Sequence, residues 1–421
     1  MKLNVTAVRE CYPALADGYA YLDGAAGTQF PAAVIDAISR AQAAGLGNSG
    51  GAFPASQRAD SIIAECRVAV AALTGGDPAG VVLGPNMTTL TYRFARTLAR
   101  GWKAGDEVVV SRLDHDANVR PWVQAAQDAG ATVLWAEVDP ATGELPADQY
   151  RELISDRTRL VAVTAASNII GTRPEVPVIT ALARGAGALS YVDGVHATPH
   201  GPVDVQALGA DFYATSAYKW SGPHVGAVIA DPVLLEGLRP DKLKPSPDEV
   251  PDRFEWGTPS YPNLAGVTAA VQHLASLTDL GGAARPGAGG EPGSGEADAG
   301  GGDDLRARLL SAMAAVEQHE SELFGVLLAG LDSMPHVRTY GRAAKRTATA
   351  YFTVAGLTPR QVAEHLALHK INVWDGDNYA WELTGVLGIR DSGSAVRAGL
   401  VHYNDSTEVD RLLEAVAELG G

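Results

Sequence analysis

Short apolar runs alternate with helix-like stretches between residues 106 and 215, and this alternation limits the fold more than any other feature. The runs lie at residues 106–111, 131–138, 159–165, 188–193 and 211–215. Between them, residues 119–129 and 176–184 carry apolar side chains at helical spacing. A short, continuous apolar run is typical of a strand that is buried on both faces. The alternation therefore predicts an α/β fold with a mostly parallel, doubly wound sheet.

The second half of the chain is organised differently. Residues 281–304 hold ten glycines, five acidic residues and no large apolar residue. Such a segment cannot bury enough surface to offset its ordering entropy, so we predict a mobile insert. After it, the pattern predicts a long helix at 305–331, strands at 348–354 and 370–374, and helices at 359–369 and 408–419. We therefore predict an N-terminal segment 1–20 that packs with the small domain, a large domain 21–280, the insert 281–304 and a smaller α+β domain 305–421.

Charge and cysteine content exclude several classes of function. The 33 basic and 49 acidic residues give a net charge of −16, whereas nucleic-acid and anionic-membrane partners call for clustered Lys and Arg. Two cysteines, Cys11 and Cys66, rule out a disulfide framework and a Cys-rich zinc site, and no His/Glu spacing suggests another metal. The N-terminus lacks a signal-peptide core, and no apolar run reaches the roughly 18 residues of a membrane span. We therefore expect a soluble, cytoplasmic protein with no membrane or nucleic-acid partner.

One Asp and one Lys stand where predicted strands end. Asp193 closes the run at 188–193, and Lys219 lies 26 residues later in a polar turn, SAYKWSG, after the run at 211–215. In an open α/β sheet, the carboxyl ends of the strands converge on the ligand crevice. A lysine and a carboxylate so placed suit pyridoxal phosphate (PLP), because the lysine forms the Schiff base and the carboxylate keeps the pyridine nitrogen protonated. The sequence therefore predicts PLP as the cofactor.

The stretch from 188 to 230 carries a longer pattern, a strand ending in VDG–x–H followed by S–x–x–K–x–x–G–P. This pattern resembles aminotransferase class V, a family of fold-type I PLP enzymes that includes cysteine desulfurases, selenocysteine lyases, kynureninases and isopenicillin-N epimerases. The resemblance covers about residues 20–420 apart from the Gly-rich insert. It implies the fold-type I transferase fold, an amino-acid substrate and a homodimer with shared active sites.

The resemblance implies roles for five residues around the cofactor ring. Lys219 matches the Schiff-base lysine, and Asp193 matches the partner of the pyridine nitrogen. His115, in LDHDANVRPW, stands where the family has the aromatic residue that stacks on the ring. His196 occupies a position near the ring hydroxyl, and Asn168, in ASNIIG, matches the family's Asn beside the cofactor's substituents.

The phosphate needs several donors around a turn, ideally at the start of a helix. The sequence NMTT before a helical stretch has that character, and the resemblance points to Thr88 with the neighbouring Met87. Ser216 belongs to the same expected phosphate site, and Tyr218 stands where desulfurases have His. Thr258, in EWGTPSYPN, resembles the threonine that reaches the neighbouring subunit's phosphate. This last match implies that the active site needs a dimer.

Three further positions are expected to bind the substrate. Arg397, in VRAGLVHYN, matches the arginine that clamps the α-carboxylate, which a planar guanidinium binds with two hydrogen bonds. Desulfurases carry a catalytic cysteine on a loop of the small domain, and alignment of WDGDNYAWE puts Tyr379 there, beside Asn378. Asn168 is expected to contribute to the same substrate site.

The tyrosine at this position determines the predicted reaction. Neither Cys11 nor Cys66 aligns with the loop, and a persulfide cannot form without a thiolate nucleophile. We therefore predict α,β-elimination from a cysteine derivative, a C–S lyase reaction, and not persulfide-forming desulfuration. Transamination, and epimerisation of the isopenicillin-N epimerase type, use the same carbanion and stay open. A non-catalytic binding module with this fold is a remote alternative.

Overall fold

The computed structural model describes residues 2–280 and 301–420. Its strands are β1 (Ala20–Tyr21), β2 (Val81–Gly84), β3 (Glu107–Ser111), β4 (Thr132–Ala136), β5 (Thr158–Thr164), β6 (Leu189–Asp193), β7 (Phe212–Ser216), β8 (Gly226–Ala230), β9 (Val337–Tyr340), β10 (Thr349–Val354), β11 (Ile371–Asn372), β12 (Trp374–Gly376) and β13 (Ala395–Gly399). Its helices are α1 (Val5–Glu10), α2 (Ala32–Ala43), α3 (Pro54–Thr74), α4 (Met87–Leu98), α5 (Arg120–Ala129), α6 (Tyr150–Leu153), α7 (Val176–Gly185), α8 (Val205–Leu208), α9 (Pro232–Glu236), α10 (Tyr261–Ser276), α11 (Gly301–Asp332), α12 (Pro359–Leu368), α13 (Trp381–Val386) and α14 (Ser406–Ala417). Within the described ranges, no helix is long and apolar enough to cross a membrane.

A seven-stranded sheet forms the centre of the large domain, in the order β2-β8-β7-β6-β5-β3-β4. All five predicted strands lie in it and are mutually parallel. The prediction omitted β2 and β8, and β8 runs antiparallel to both of its neighbours. Residues 217–225, which join β7 to β8, are too few for a parallel crossover, so the chain must reverse direction.

The sheet is buried on both faces, as its apolar runs predict. Side chains alternate between two core clusters along each strand: Val109 and Val161 belong to one cluster, while Val108 and Leu160 belong to the other. Helices therefore pack against both faces of the sheet. This arrangement confirms the predicted α/β, doubly wound architecture.

A second, four-stranded antiparallel sheet lies towards the C-terminus, in the order β12-β13-β10-β9. Here the prediction of one strand at 370–374 is wrong. The segment divides between β11, which pairs in parallel with β1, and β12, which pairs with β13. Residues 371–376 therefore pair with the N-terminal segment through β11 and with the small sheet through β12.

Helix α11 connects the cores of the two domains. Its first half carries Leu309 and Met313, which pack in the same cluster as the large sheet, whereas Leu327 and Leu331 pack with the small sheet. The described part of this helix starts at Gly301, within the predicted insert 281–304. The rest of that insert, residues 281–300, lies outside the described residues.

The N-terminal segment contacts both domains. Tyr12 is buried, and its Oη lies 2.9 Å from Ser221 Oγ, 2.6 Å from His402 Nε2 and 3.0 Å from His273 Nε2. Ser221 is two residues beyond Lys219, and His402 follows β13. One phenol thus connects the segment 1–20 to the turn that carries the lysine and to the small domain.

Candidate active site

A cavity opens at the carboxyl ends of β5, β6 and β7, where the sequence predicts the ligand crevice. It is narrow, with a volume of about 30 Å³ between the side chains that line it. Nine predicted site residues are among those that line it: Met87, Thr88, His115, Asn168, Asp193, His196, Ser216, Tyr218 and Lys219. Sequence reasoning did not name the other lining residues, Ala117, Thr164, Ala166 and Val195, which lack a chemical signal of their own.

Lys219 and Asp193 are buried together in this cavity. Burial, with the nearby positive charge of Arg397, lowers the pKa of Lys219, while Asp193 opposes that shift. Burial raises the pKa of Asp193, and the Val195 N–H and Lys219 partly offset it. The lysine amine therefore loses its proton at a lower pH than a solvated lysine does, as a nucleophilic amine requires.

The turn after β6 fixes the orientation of the Asp193 carboxylate. The Val195 N–H donates to Asp193 Oδ1 at 2.9 Å. Gly194 makes this turn possible, because a Cβ at that position would lie 1.9 Å from the Tyr213 ring. A larger residue would displace the turn and the carboxylate with it.

His115 lies at the start of a short helical turn. A hydrogen bond from the backbone determines which ring nitrogen carries the proton, and burial with two nearby positive charges lowers the pKa of the ring. Its Nδ1 accepts a hydrogen bond from the Ala117 N–H at 3.0 Å, so a neutral ring carries its proton on Nε2. Burial, Lys219 and Arg397 lower the pKa of His115 to about 3. The imidazole is therefore uncharged at neutral pH and presents a flat ring to the cavity.

Two polar atoms lining the cavity are buried without a hydrogen-bond partner, His196 Nδ1 and Asn168 Oδ1. His196 Nε2 lies 3.0 Å from Thr349 Oγ1 and 3.1 Å from Thr347 Oγ1, so the small domain fixes the ring. Buried polar atoms are nearly always satisfied, and an unpaired one suggests a missing polar ligand. A polar group bound in the cavity would satisfy both atoms.

Helix α4 begins at the other end of the cavity. Ser216 Oγ accepts from the Met87 N–H at 3.0 Å, and the Asn86 side chain accepts from the Thr89 N–H at 2.9 Å. With these two groups occupied, Thr88 and the Ser216 hydroxyl proton are the donors left for an anion. Gly226 lets β8 approach this helix, because a Cβ there would lie 2.3 Å from the Asn86 carbonyl carbon.

Thr258 is not among the residues that line this cavity. It lies in a neighbouring depression with Pro85, His224 and Trp256. Tyr218 does line the cavity, and its ring stacks on His224 with a centroid distance of 4.9 Å. The structure therefore does not bring Thr258 into the cavity that holds Lys219 and Asp193.

Arg397 lies on β13, next to the cavity but not among the residues that line it. Its Nη1 donates to the Asn168 carbonyl oxygen at 2.9 Å. Burial lowers the pKa of Arg397 to about 10, partly offset by Tyr351, Asp23 and Tyr218. Asp23 was missed by sequence reasoning, and its only signal is the run LDGAAG at the end of β1. Its Oδ1 is buried without a partner, and burial raises its pKa to about 6.

Replacing Arg397 with Gln is expected to raise KM by roughly 10-fold to 100-fold, since a charge-assisted hydrogen bond contributes about 1.5–3 kcal/mol. Steady-state kinetics with a saturable amino acid measures this change. Arg338→Gln, on β9 of the same sheet, serves as the control and should leave KM unchanged. A fall in kcat with KM unaltered would contradict carboxylate binding by Arg397.

Asn378 and Tyr379 belong to a loop that fastens the small domain to this site. Asn168 Nδ2 donates to the Asn378 carbonyl at 2.7 Å, and the Asp116 N–H donates to the Tyr379 carbonyl at 2.7 Å. The Tyr379 ring stacks on His115 with a centroid distance of 5.3 Å and an interplanar angle of 26°. Both residues adopt left-handed backbone conformations, with φ of 50° and 61°.

The two cysteines occupy other parts of the molecule, and neither lines the cavity. Cys66 is buried in α3, and burial raises the pKa of its thiol. Cys11 is half-buried at the end of α1, where its Sγ lies 3.5 Å from the Ala7 carbonyl oxygen. Burial raises the pKa of the Cys11 thiol as well.

The profile of the family described as Aminotransferase class-V matches residues 20–281 and 305–412. The chain belongs to the class-V aminotransferase family. An uncharacterized protein of Mycobacterium tuberculosis (strain CDC 1551 / Oshkosh) is 34% identical over 421 residues, which is 100% of each chain. A probable cysteine desulfurase of Pseudomonas putida is 32% identical, and the match covers 94% of this chain and 92% of that protein. The aminotransferase-like protein FGM3 of Gibberella zeae is 29% identical, over 98% of both.

Solved structures of two cysteine desulfurases share the fold. A cysteine desulfurase from Thermococcus onnurineus NA1 has a TM-score of 0.86 at 26% identity, over 100% of this chain and 98% of that chain. The cysteine desulfurase CsdA from Escherichia coli has a TM-score of 0.83 at 27% identity, over 100% of this chain and 99% of that chain. These similarities confirm the fold-type I prediction and identify a PLP-dependent enzyme.

PLP is accordingly the cofactor of this class-V enzyme, and the residues that line the cavity suit its chemistry. The unpartnered atoms of His196 and Asn168 call for a polar ligand. A buried amine and a buried carboxylate, on Lys219 and Asp193, suit a pyridine aldehyde, and the start of α4 suits a phosphate.

Proposed function

We propose that the enzyme removes the Cα proton of an S-substituted cysteine and eliminates its sulfur substituent, yielding a thiol, pyruvate and ammonia. The observation that carries this proposal is Tyr379, which stands against His115 at the position that the resemblance gives to the desulfurase cysteine. The lysine and carboxylate needed for Cα deprotonation line the cavity, but neither cysteine does.

Lys219, Asp193 and His115 would hold the cofactor ring, while Thr88 and Ser216 would hold its phosphate. When bound, PLP supplies an electron sink that stabilises the negative charge left at Cα. The Asp193 carboxylate, with its orientation fixed by the Val195 N–H, would keep the pyridine nitrogen protonated. Neutral His115 would cover one face of the ring without adding charge.

Lys219 Nζ moves the protons of the reaction. Its lowered pKa makes the free amine a base at neutral pH, so it takes the Cα proton. The Cβ–S bond then breaks, and the thiolate leaves with a proton from the same Nζ. The released 2-aminoacrylate hydrolyses in water to pyruvate and ammonia, which balances the reaction. Arg397 holds the carboxylate during these steps.

A homodimer with shared active sites is part of the proposal. Its support is Thr258, which lies outside the cavity of its own subunit, in a depression beside Pro85 and the half-exposed Trp256. The resemblance gives this threonine a phosphate contact in the neighbouring subunit. A second copy would therefore complete the phosphate site.

Purified enzyme with S-methyl-L-cysteine and no keto acid is expected to release methanethiol and pyruvate in equal amounts. The variant Cys11→Ser/Cys66→Ser should retain this activity within about twofold, because neither thiol takes part. Chromatographic product analysis of both proteins tests the reaction class. With L-cysteine, a persulfide on either cysteine together with alanine as product would contradict the proposal. Formation of the D-enantiomer without pyruvate would indicate an epimerase instead.

A further inference from the structure

Trp374 lies beside the proposed carboxylate site. It opens the edge strand β12, and its Cα is paired with that of Arg397 in β13. Residues directly opposite each other in an antiparallel pair project to the same face of a sheet. Arg397 uses that face to reach Asn168 in the cofactor cavity. Trp374 therefore shares the face that looks towards the cavity, at the edge of the sheet.

Contacts elsewhere on the small sheet establish which way this face points. Tyr351 is paired with Arg397 on the other side of β13, and its Oη donates to the Gly376 carbonyl at 2.6 Å. Thr349, two residues earlier on β10, bonds His196 in the cavity. The row Thr349, Tyr351, Arg397 and Trp374 therefore lies on the face of the small sheet that turns towards the cavity, where Thr349 contacts His196 and Arg397 contacts Asn168.

Tyr379 presents a second aromatic ring beside the cavity, against the lining residue His115. One face of the ring stacks on His115, and 72% of the residue is exposed. Its N–H donates to Asp377 Oδ1 at 2.9 Å, and its carbonyl accepts from Asp116. Left-handed conformations at two consecutive non-glycine residues are costly and cluster at ligand clamps. The exposed ring is thus held in place by its backbone.

Most charges around these two rings are paired. Glu382 binds Arg112 at 2.9 Å and Arg120 at 2.7 Å, and Asp375 binds Arg360 at 3.2 Å. Among the described residues, Asp377 has no ion-pair partner, and its Oδ1 is occupied by the Tyr379 N–H. The large exposed surfaces that remain are aromatic, with Trp374 half exposed. Exposed aromatic surface at the mouth of a site favours an apolar ligand group.

We propose that Trp374 and Tyr379 form a binding site for an apolar, aromatic substrate side chain. The substrate would then be a cysteine carrying an aromatic S-substituent, an inference that rests on the proposed lyase function. Arg397 would fix the substrate carboxylate. The S-substituent would then extend along the rings of Trp374 and Tyr379 rather than towards Thr88 and Ser216 at the start of α4. Aromatic pairs of this kind contribute energy beyond the burial of their area.

The test compares the PLP-loaded enzyme with two tryptophan variants. Dissociation constants of L-phenylalanine and L-alanine are measured from the change in visible absorbance, and kcat/KM is measured for S-benzyl- and S-methyl-L-cysteine. We expect the aromatic compound to be preferred at least about tenfold in both pairs. Trp374→Ala should remove most of that preference. Trp381→Ala is the matched control, since Trp381 is also half exposed but is covered by the Arg390 guanidinium 4.3 Å from its ring.

Equal binding of L-phenylalanine and L-alanine would overturn the proposal, as would a preference that survives Trp374→Ala. Dissociation of the oligomer by Trp374→Ala, seen by size-exclusion chromatography with light scattering, would show that a second subunit covers this ring and would also overturn it. A binding preference that depends on Trp374, without any thiol release, would instead refute the lyase function and leave the aromatic site supported.

Discussion

The Lys219→Ala protein is expected to lose all measurable turnover and to bind PLP without a covalent link. Among the residues that the structure describes, no other lysine lines the cavity, so none of them replaces the amine as nucleophile or as carrier of the Cα proton. Borohydride reduction followed by peptide mass spectrometry checks the link, and the product assay checks turnover. Lys242→Ala, which removes a lysine paired with the exposed Asp248, should retain both.

The lowered pKa of Lys219 adds a pH dependence to this prediction. Because burial and Arg397 destabilise the charged amine, the amine loses its proton well below the usual lysine pKa. PLP is therefore expected to attach to the cofactor-free protein readily at pH 8 and more slowly as the pH falls and the amine becomes protonated. Attachment that accelerates only above pH 10, or turnover retained by Lys219→Ala, would contradict the role of this lysine.

Asp193→Asn is expected to lower kcat by roughly 100-fold to 1,000-fold, the loss typical when one preorganised electrostatic group is removed. The amide cannot hold a proton on the pyridine nitrogen, so the electron sink weakens while the shape of the cavity is kept. The expected KM is nearly unchanged, because the proposal assigns the substrate carboxylate to Arg397. Stopped-flow measurement of Cα–deuterium exchange reports the affected step directly.

Glu408→Gln provides a control for removal of a buried carboxylate. Glu408 is buried in α14, where it accepts from Asn404 Nδ2 at 2.9 Å, away from the cavity. This change should lower thermal stability and leave kcat per bound cofactor unaltered. If the total activity of Asp193→Asn falls only as much as its amount of folded protein, then kcat per folded enzyme is unchanged. That result would contradict a catalytic role and leave Asp193 a structural role alone.

The fold was predictable where a strand is buried on both faces. Runs such as 159–165 and 188–193 are mostly apolar and too short for a typical helix, which favours a buried strand. Strand β8 follows β7 after a short turn, and its direction depends on the length of that turn rather than on its own composition. The division of 370–374 between two sheets depends on pairing with Ala20 and Arg397, which lie far away in sequence.

The site was predictable only where a residue type carries its own chemistry. Lys219 and Asp193 lie at or just after strand ends and suit PLP, so the sequence pattern identifies them as candidate site residues. The stacking of Tyr379 on His115 joins residues on different domains, and no local pattern encodes it. The same holds for Thr349, which bonds His196, because a strand threonine has no distinctive signal until the two domains are packed.

The visible absorbance spectrum of the purified, PLP-loaded protein tests the central proposal most directly. It is recorded before and after addition of S-methyl-L-cysteine without any keto acid, with pyruvate and thiol assayed in the same sample. We expect a visible band from the protein-bound cofactor that returns to its starting form once the substrate has become pyruvate and methanethiol. A visible band lost in proportion to enzyme, without pyruvate, would mean transamination, and no band at all would contradict the cofactor site itself.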